Sequence, residues 1–364
     1  MTKVYVAATR QNDGKTVTCI GLMAALKRRA GNVGYIKPVG QRYVEVDGHK
    51  VDEDAVLMKE VYGVDAPLAD MSPIAVPRGF TEAYIERPRK DELVRSVQDA
   101  YAKVSRGRDV MVIEGSGHAG VGSVFDLSNG AVAKLLGARV IIVSSGGIGR
   151  PIDEVMLNKA LFDQCGVEVL GVIVNKVQPD KYDKVNQVVR KGFERKGLEV
   201  LGVVPYCPML SHPTIEQLVQ EIDGRLLSGR RGLKNVVSKT IVGAMPPHEA
   251  LDYFTGDVLL ITPGAREDLI LAAMSCHLIG PGDRCFISGI VLTGGIRPHR
   301  NVMRLVRETQ IPVILVEEDT FRVAARIDDL IVKIRPGDEE KIAAAEDLIE
   351  RYVAVDRALE LMRH

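Results

Sequence analysis

The sequence predicts an α/β fold: a mostly parallel sheet built on a phosphate-binding loop, followed by a second, smaller α/β domain. Three observations predict it. Short apolar runs alternate with helical patterns through the first two thirds of the chain, and apolar strands separated by helices imply a parallel sheet covered on both faces. The first run, residues 4–8, meets a polar loop ending Gly14-Lys15-Thr16 and then a helical pattern beginning Val17-Thr18-Cys19-Ile20. The length of 364 residues is long for one core and comfortable for two domains. A polar, glycine-rich turn at Ser228-Gly229-Arg230-Arg231-Gly232 marks the expected boundary, with a second series of alternations beyond it. The expected domains are therefore 1–228 and 229–340, with a helical segment 341–364 packed on the second.

Taken in order, the helix after the loop has Val17, Ile20 and Ala24 on one face, widened by Leu22 and Leu26. Val33-Gly34-Tyr35-Ile36 is a second strand, ending at Lys37-Pro38-Val39. A short helix over 52–62 is capped by Asp52 or Asp54. Residues 64–90 are proline-rich and irregular, a length of loop that is usually functional. Val94, Val97, Tyr101 and Val104 mark an amphipathic helix. Four apolar strands follow, three ending in a polar cluster and the last at a proline: 110–113 before Glu114-Gly115-Ser116-Gly117, 140–143 before Ser144-Ser145-Gly146-Gly147, 169–174 before Asn175-Lys176, and 200–204 before Pro205. Ligands of such sheets bind beyond the carboxyl ends of the strands, so these clusters converge on one crevice. In the second series, strands are expected at 241–243, 258–261, 289–292 and 313–316. The stretch from Glu339 to Met362 reads as helix with a break near Val353.

A strand, a polar loop ending Gly-Lys-Thr and a helix form the arrangement of a P-loop. Backbone N–H groups of the loop and of the first helical turn point at an anion, and the helix dipole adds positive potential. Lys15 then reaches the β- and γ-phosphates and the Thr16 hydroxyl ligates Mg²⁺. The strict pattern wants glycine where Thr9 stands. The plainer alternative is an ordinary strand–turn–helix capped by Asp13. Lys37, at a strand end, adds a second charge over the phosphates, holds an anionic substrate, or is a solvated lysine before a turn. Asp54 completes a Mg²⁺ shell or caps its helix. Glu114, directly after four apolar strand residues and before Gly-Ser-Gly, resembles the acidic strand end that ligates or polarises Mg²⁺. Asn175-Lys176 reads a base edge or forms a polar turn. His118 has no Cys or His partner at ligand spacing and reads as a loop residue.

Composition narrows the function classes. Lys+Arg and Asp+Glu both number 48, a formal net charge of zero, which argues against bulk nucleic-acid or membrane-surface binding. Aromatic residues make up 5% with no Trp, a poor stacking surface for single strands. The five scattered cysteines include no CxxC pair, so neither a disulfide framework nor a zinc site is expected, and a cytoplasmic setting is. The start has no signal-peptide pattern, and no apolar run approaches the ~18 residues of a membrane span.

Six landmarks in order resemble dethiobiotin synthetase, a P-loop enzyme grouped with the cobyrinate amidating synthetases. They are residues 8–16, Tyr35-Ile36-Lys37-Pro38-Val39, Asp54-Ala55, Ile113-Glu114-Gly115-Ser116-Gly117, Val174-Asn175-Lys176-Val177 and Leu201-Gly202-Val203-Val204-Pro205. The resemblance implies ATP and Mg²⁺ as ligands. It implies Thr16, Asp54 and Glu114 on the metal and Lys15 and Lys37 on phosphate or the transition state. Asn175 would contact the adenine, within a nucleotide-binding set of Asn12, Asp13, Gly14, Lys15, Thr16, Val17, Gly115, Asn175 and Pro205. Two departures stand out. Ala8 replaces the family's first P-loop glycine, and the family's diamine loop is replaced by residues 74–82. That segment, with Phe125-Asp126-Leu127-Ser128-Asn129, resembles the N-terminal region of long bacterial phosphate acetyltransferases. Residues ~232–340 resemble the DRTGG domain of those enzymes, through Ile261-Thr262-Pro263-Gly264, Arg266-Glu267-Asp268, Thr293-Gly294-Gly295 and Pro312-Val313-Ile314-Leu315-Val316.

The leading expectation is an ATP- and Mg²⁺-binding sensor or regulator of a metabolic enzyme of that type, with no acetyl transfer of its own. It would be a homodimer, with a small molecule held near Arg78–Glu82. The alternatives are a synthetase that phosphorylates a carboxylate or carbamate, and a partner-controlled positioning ATPase. The last is disfavoured by Arg10 and Gln11, which stand where that class carries a second lysine.

Overall fold

The structure, a computed structural model, describes residues 1–279 and 285–363, without the side chains of Ile279 and Cys285. It divides into two units, and the first is discontinuous: residues 1–207 with 334–364, against 208–333 for the second.

The first unit is a six-stranded, all-parallel sheet of β1 (Thr2–Ala8), β2 (Val33–Ile36), β3 (Val110–Glu114), β4 (Arg139–Ser145), β5 (Val169–Val177) and β6 (Val200–Pro205). Their spatial order is β6-β5-β4-β1-β3-β2. Runs such as Val110-Met111-Val112-Ile113 suit strands buried on both faces, and every residue of β3 is buried. β1 lies between β3 and β4, where the winding of the sheet reverses. Such a switch point opens a crevice at the strand ends. Register sets Val6 opposite Glu114 and Ala8 opposite Val143, so the loop leaving β1 emerges between the ends of both neighbours.

Helix α1 (Lys15–Ala30) is buried on more than its sheet-facing side, including Cys19, Ile20, Gly21, Leu22, Met23 and Ala25. The C-terminal helix Glu339–Tyr352 covers its outer face. A Cβ on Gly21 would lie 2.3 Å from the Cβ of Ile349, so glycine is what lets the two helices approach. Arg28 and Arg29 both bond Glu350, and the Tyr62 hydroxyl donates to Glu346 at 2.9 Å. The helical stretch breaks at Val353, which is extended (φ −116°, ψ 131°) and bridges to Gly202, before the helix Val355–Arg363. This corrects the expectation that 341–364 pack on the second domain. The break was legible, but the stripe Ile342, Ala345, Ile349 fits any apolar surface and does not say which.

The second unit is a five-stranded sheet of β7 (Arg225–Ser228), β8 (Lys239–Val242), β9 (Gly256–Pro263), β10 (Cys285–Thr293) and β11 (Val313–Leu315). The order is β7-β11-β10-β9-β8, with β7 antiparallel and the others parallel. Apolar layers cover both faces: Phe254, Leu260, Leu269 and Val306 on one, Ile215, Leu259, Val291 and Val323 on the other. The expected boundary at 228 therefore falls inside this unit, which begins at Pro208. The glycine-rich stretch read as the boundary is a tight turn: Gly229 has φ 74°, and a Cβ there would meet Ile311 O at 2.3 Å. Among the described residues, no helix is long and apolar enough to cross a membrane.

Candidate functional site

The loop between β1 and α1 folds around Asp13. Its carboxylate accepts from the Thr9 hydroxyl (2.6 Å) and from Arg10 N (2.8 Å), inside the loop rather than at the helix. The N-cap of α1 is Gly14, at φ 99°, and no side chain caps the helix. Asp13 is therefore not the helix cap that an ordinary strand–turn–helix would use. The first-turn N–H groups of α1 are left without a side-chain acceptor, the condition under which a helix start binds an anion. Asn12 (φ 66°) and Gly14 bring the chain round through left-handed turns. Ala8 stands inside β1, outside the positive-φ residues, so a methyl group is accommodated where the resembled family has glycine.

Lys15 is buried at the start of α1; burial lowers its pKa, Glu114 opposes that and Lys37 adds to it. A desolvated ammonium of this kind gains from an arriving anion. The next residue, Thr16, places its hydroxyl 2.9 Å from Glu114 Oε1 and 3.4 Å from Asp54 Oδ2. Glu114 ends β3, is 1% exposed and accepts from the Tyr35 hydroxyl at 2.8 Å. Burial raises its pKa, and Lys37 works against the rise.

Lys37, just past β2, sends its ammonium into a set of three carboxylates. It bonds Asp54, lies 3.0 Å from Asp52 Oδ1 and 3.6 Å from Glu114 Oε1. Burial, the largest single influence, disfavours its charge, but Asp54, Glu114 and Asp52 together outweigh it and hold the pKa well above the usual lysine range. It is not a solvated lysine. The open choice of cap for the helix Glu53–Tyr62 resolves to Asp52, whose Oδ1 accepts from Asp54 N, leaving the Asp54 side chain to the cluster. Asp52 was read only as a cap; its second role had a faint signal, an Asp-x-Asp spacing at the helix start.

The donor set fits Mg²⁺. A hydroxyl and two carboxylates, from Thr16, Asp54 and Glu114, converge, and a cation already stands among them as the Lys37 ammonium. Among the described residues no group of three or more His, Cys, Asp or Glu is arranged to hold a metal alone. Mg²⁺ keeps waters and phosphate oxygens and takes only one or two carboxylates from protein, a demand that the Thr16 hydroxyl with the Asp54 and Glu114 carboxylates matches.

On the other side of the loop, Asn175 and Lys176 stand just before the end of β5 and bond to the loop's backbone. Pro205 ends β6, in register with Val177. Gly115 follows Glu114 and donates its N–H to Val6 O; a Cβ there would fall 2.7 Å from Tyr5. Asn129, quoted in sequence only as part of a resemblance, organises this turn. It accepts from the Tyr5 hydroxyl and Ser116 N and donates to the carbonyls of Ser116 and His118. The Arg78–Glu82 segment is fixed by aromatic contacts: Phe80 meets Phe125 edge-on at 5.4 Å, and the Tyr84 hydroxyl donates to Asp126 at 2.7 Å. Arg78 and Glu82 themselves are exposed.

Comparison with known proteins agrees with this architecture. Residues 217–330 match the DRTGG domain. The phosphate acetyltransferase of Nitratidesulfovibrio vulgaris is 26% identical over 362 residues, covering 96% of this chain and 50% of that protein. That of Synechocystis sp. is 25% identical over 370 residues, covering 99% and 52%. The chain thus spans about half the length of these relatives. Structural likenesses are slight. The MinC:MinD cell division protein complex of Aquifex aeolicus aligns at TM-score 0.39 and 15% identity, over 58% of this chain and 84% of that one. Residues 2–214 match the AAA domain family AAA_26, so the chain belongs to that family: a P-loop NTPase unit joined to a DRTGG domain.

Proposed function

We propose that the first unit binds ATP with Mg²⁺ and that the chain is a nucleotide-responsive regulator of a metabolic enzyme of the phosphate acetyltransferase kind. The observation that carries the reading is the convergence of Thr16, Asp54, Glu114 and Lys37 beside an uncapped helix start that carries Lys15. Loop amides and Lys15 take the phosphates, the three oxygen ligands take Mg²⁺, and Asn175 with Pro205 border the adenine. Mg²⁺ would supply charge neutralisation at the phosphates. The three carboxylates around Lys37 favour sensing over synthesis, since they spend its charge on neighbours instead of leaving it for a reacting group. The family resemblance supports a homodimer, and the Arg78–Glu82 segment is the place for a second small ligand.

Calorimetric titration of the full chain with ATP, with Mg²⁺ and then with excess chelator, tests this. Mg²⁺-dependent binding is expected, weakened about thirtyfold in Lys15→Ala through loss of a charge-assisted contact, with turnover too slow to exhaust the ATP during the titration. Absence of ATP binding, or affinity indifferent to both Mg²⁺ and Lys15, would refute it.

A further inference from the structure

We propose that Asn175 and Lys176 are positioning residues that hold the phosphate-binding loop in its anion-receptive shape. Two consecutive side chains from the end of β5 donate to two consecutive loop carbonyls. Asn175 Nδ2 bonds Asp13 O at 2.9 Å, and Lys176 Nζ bonds Asn12 O at 2.6 Å. A trans peptide carries its C=O and N–H on opposite sides. The carbonyl of Asn12 shares a plane with the N–H of Asp13, and the carbonyl of Asp13 shares one with the N–H of Gly14. Drawing both carbonyls toward β5 therefore turns both N–H groups the other way, toward the cradle. It also draws two negative dipole ends away from where phosphate oxygens sit.

The arrangement is built, not incidental. Asn175 is 6% exposed, and its Oδ1 accepts from Lys176 N at 2.8 Å, which fixes the amide's orientation. Lys176 is held at φ 58°, a conformation that disfavours any residue but glycine. The backbone around it is clamped by Gly146, where a Cβ would fall 2.6 Å from Lys176 O. Gly14 has no room for a side chain because a Cβ would lie 2.0 Å from Asn175 Nδ2. A lysine kept in an unfavourable backbone conformation, with its amine on a loop carbonyl, is explained by the loop it holds. Base contact does not explain it. Asn175 retains one N–H and one lone pair, so holding the loop and bordering a base are compatible for it.

The proposal rests on the nucleotide reading of the loop, and the experiment separates the two. The full chain and its Asn175→Ala and Lys176→Gly variants are titrated with Mg-ATP and with inorganic tripolyphosphate, which has no base, and each protein's melting is followed by circular dichroism. Glycine at 176 accepts the left-handed backbone without strain, so that variant keeps its fold while losing the amine. Both variants are expected to bind both ligands about tenfold more weakly, with Lys176→Gly melting no earlier than the wild type. Loss confined to ATP would make the pair base readers and overturn the proposal, and unchanged affinity for both ligands would overturn it too. If the wild type binds neither ligand, the nucleotide reading falls and this proposal with it.

Discussion

Replacing Gly21 by alanine is a sharp perturbation, because two opposed effects meet at one atom. In an open helix the change is stabilising by about 1 kcal/mol, from backbone entropy alone. Here the new Cβ would stand 2.3 Å from both Cβ and Cγ1 of Ile349 and 2.9 Å from Ala345 O. Comfortable carbon–carbon contact begins near 3.5 Å, so the helix Glu339–Tyr352 must retreat from α1 by about an ångström. Overpacking of this kind costs about 1–3 kcal/mol. Set against the propensity gain, the first unit should lose up to about 2 kcal/mol. Urea unfolding followed by far-UV circular dichroism reads the loss in the first unit's transition. Repeated in an Ile349→Gly background, which removes both clashing carbons and leaves only the 2.9 Å approach to Ala345 O, the same alanine should cost less than in the wild type, a coupling of about 1–2 kcal/mol. A stabilising effect in the wild-type background, or an equal loss in both backgrounds, would refute the packing of the C-terminal helix on α1.

Two other outcomes follow from the charged clusters. Lys37→Met leaves Asp52, Asp54 and Glu114 facing one another without their cation; it should cost about 3 kcal/mol at neutral pH, part of it recovered by adding Asp52→Asn, and denaturant unfolding showing no loss would sink the idea. Bonds from Arg29 and Arg28 pull Glu350 from its ordinary 4.5 down to about 2. A depressed carboxylate stabilises the fold above its unfolded pKa and stops doing so as pH falls through the folded one. The stability difference between wild type and Glu350→Gln should therefore be constant above pH ~5 and vanish near pH 2. It should stay below about 1 kcal/mol, because the pair is solvent-screened; a difference independent of pH would contradict the assignment.

The parallel sheet was legible because both-face burial writes itself as unbroken apolar runs, and the strand ends 36, 114 and 205 follow from where those runs stop. The P-loop was legible because its glycine, lysine and threonine sit on one short segment. Asp52 was harder. Its bond to Lys37 joins residues whose neighbourhood depends on how the segment after β2 returns to the sheet, and an aspartate before a helix already had a sufficient local explanation. Asn129 and Lys176 were obscure for a related reason: each satisfies backbone groups of a distant loop, and backbone acceptors carry no sequence identity. The home of residues 341–364 was misjudged because periodicity records that a face is buried and not against what.

The discontinuity of the first unit has a consequence for how the chain comes to be folded. Arg28 and Glu350, which bond across the α1 contact, stand 322 residues apart in sequence. A ribosome adding about 5–20 residues per second needs about 15–65 s to make the second after the first. Throughout that interval the outer face of α1, the helix that begins at the phosphate cradle, has no cover of its own. Residues 208–333 are made before the covering helix is, so the second unit has time to fold on its own core before the first unit is whole. The helices Glu339–Tyr352 and Val355–Arg363 are then the ones that complete the surroundings of α1.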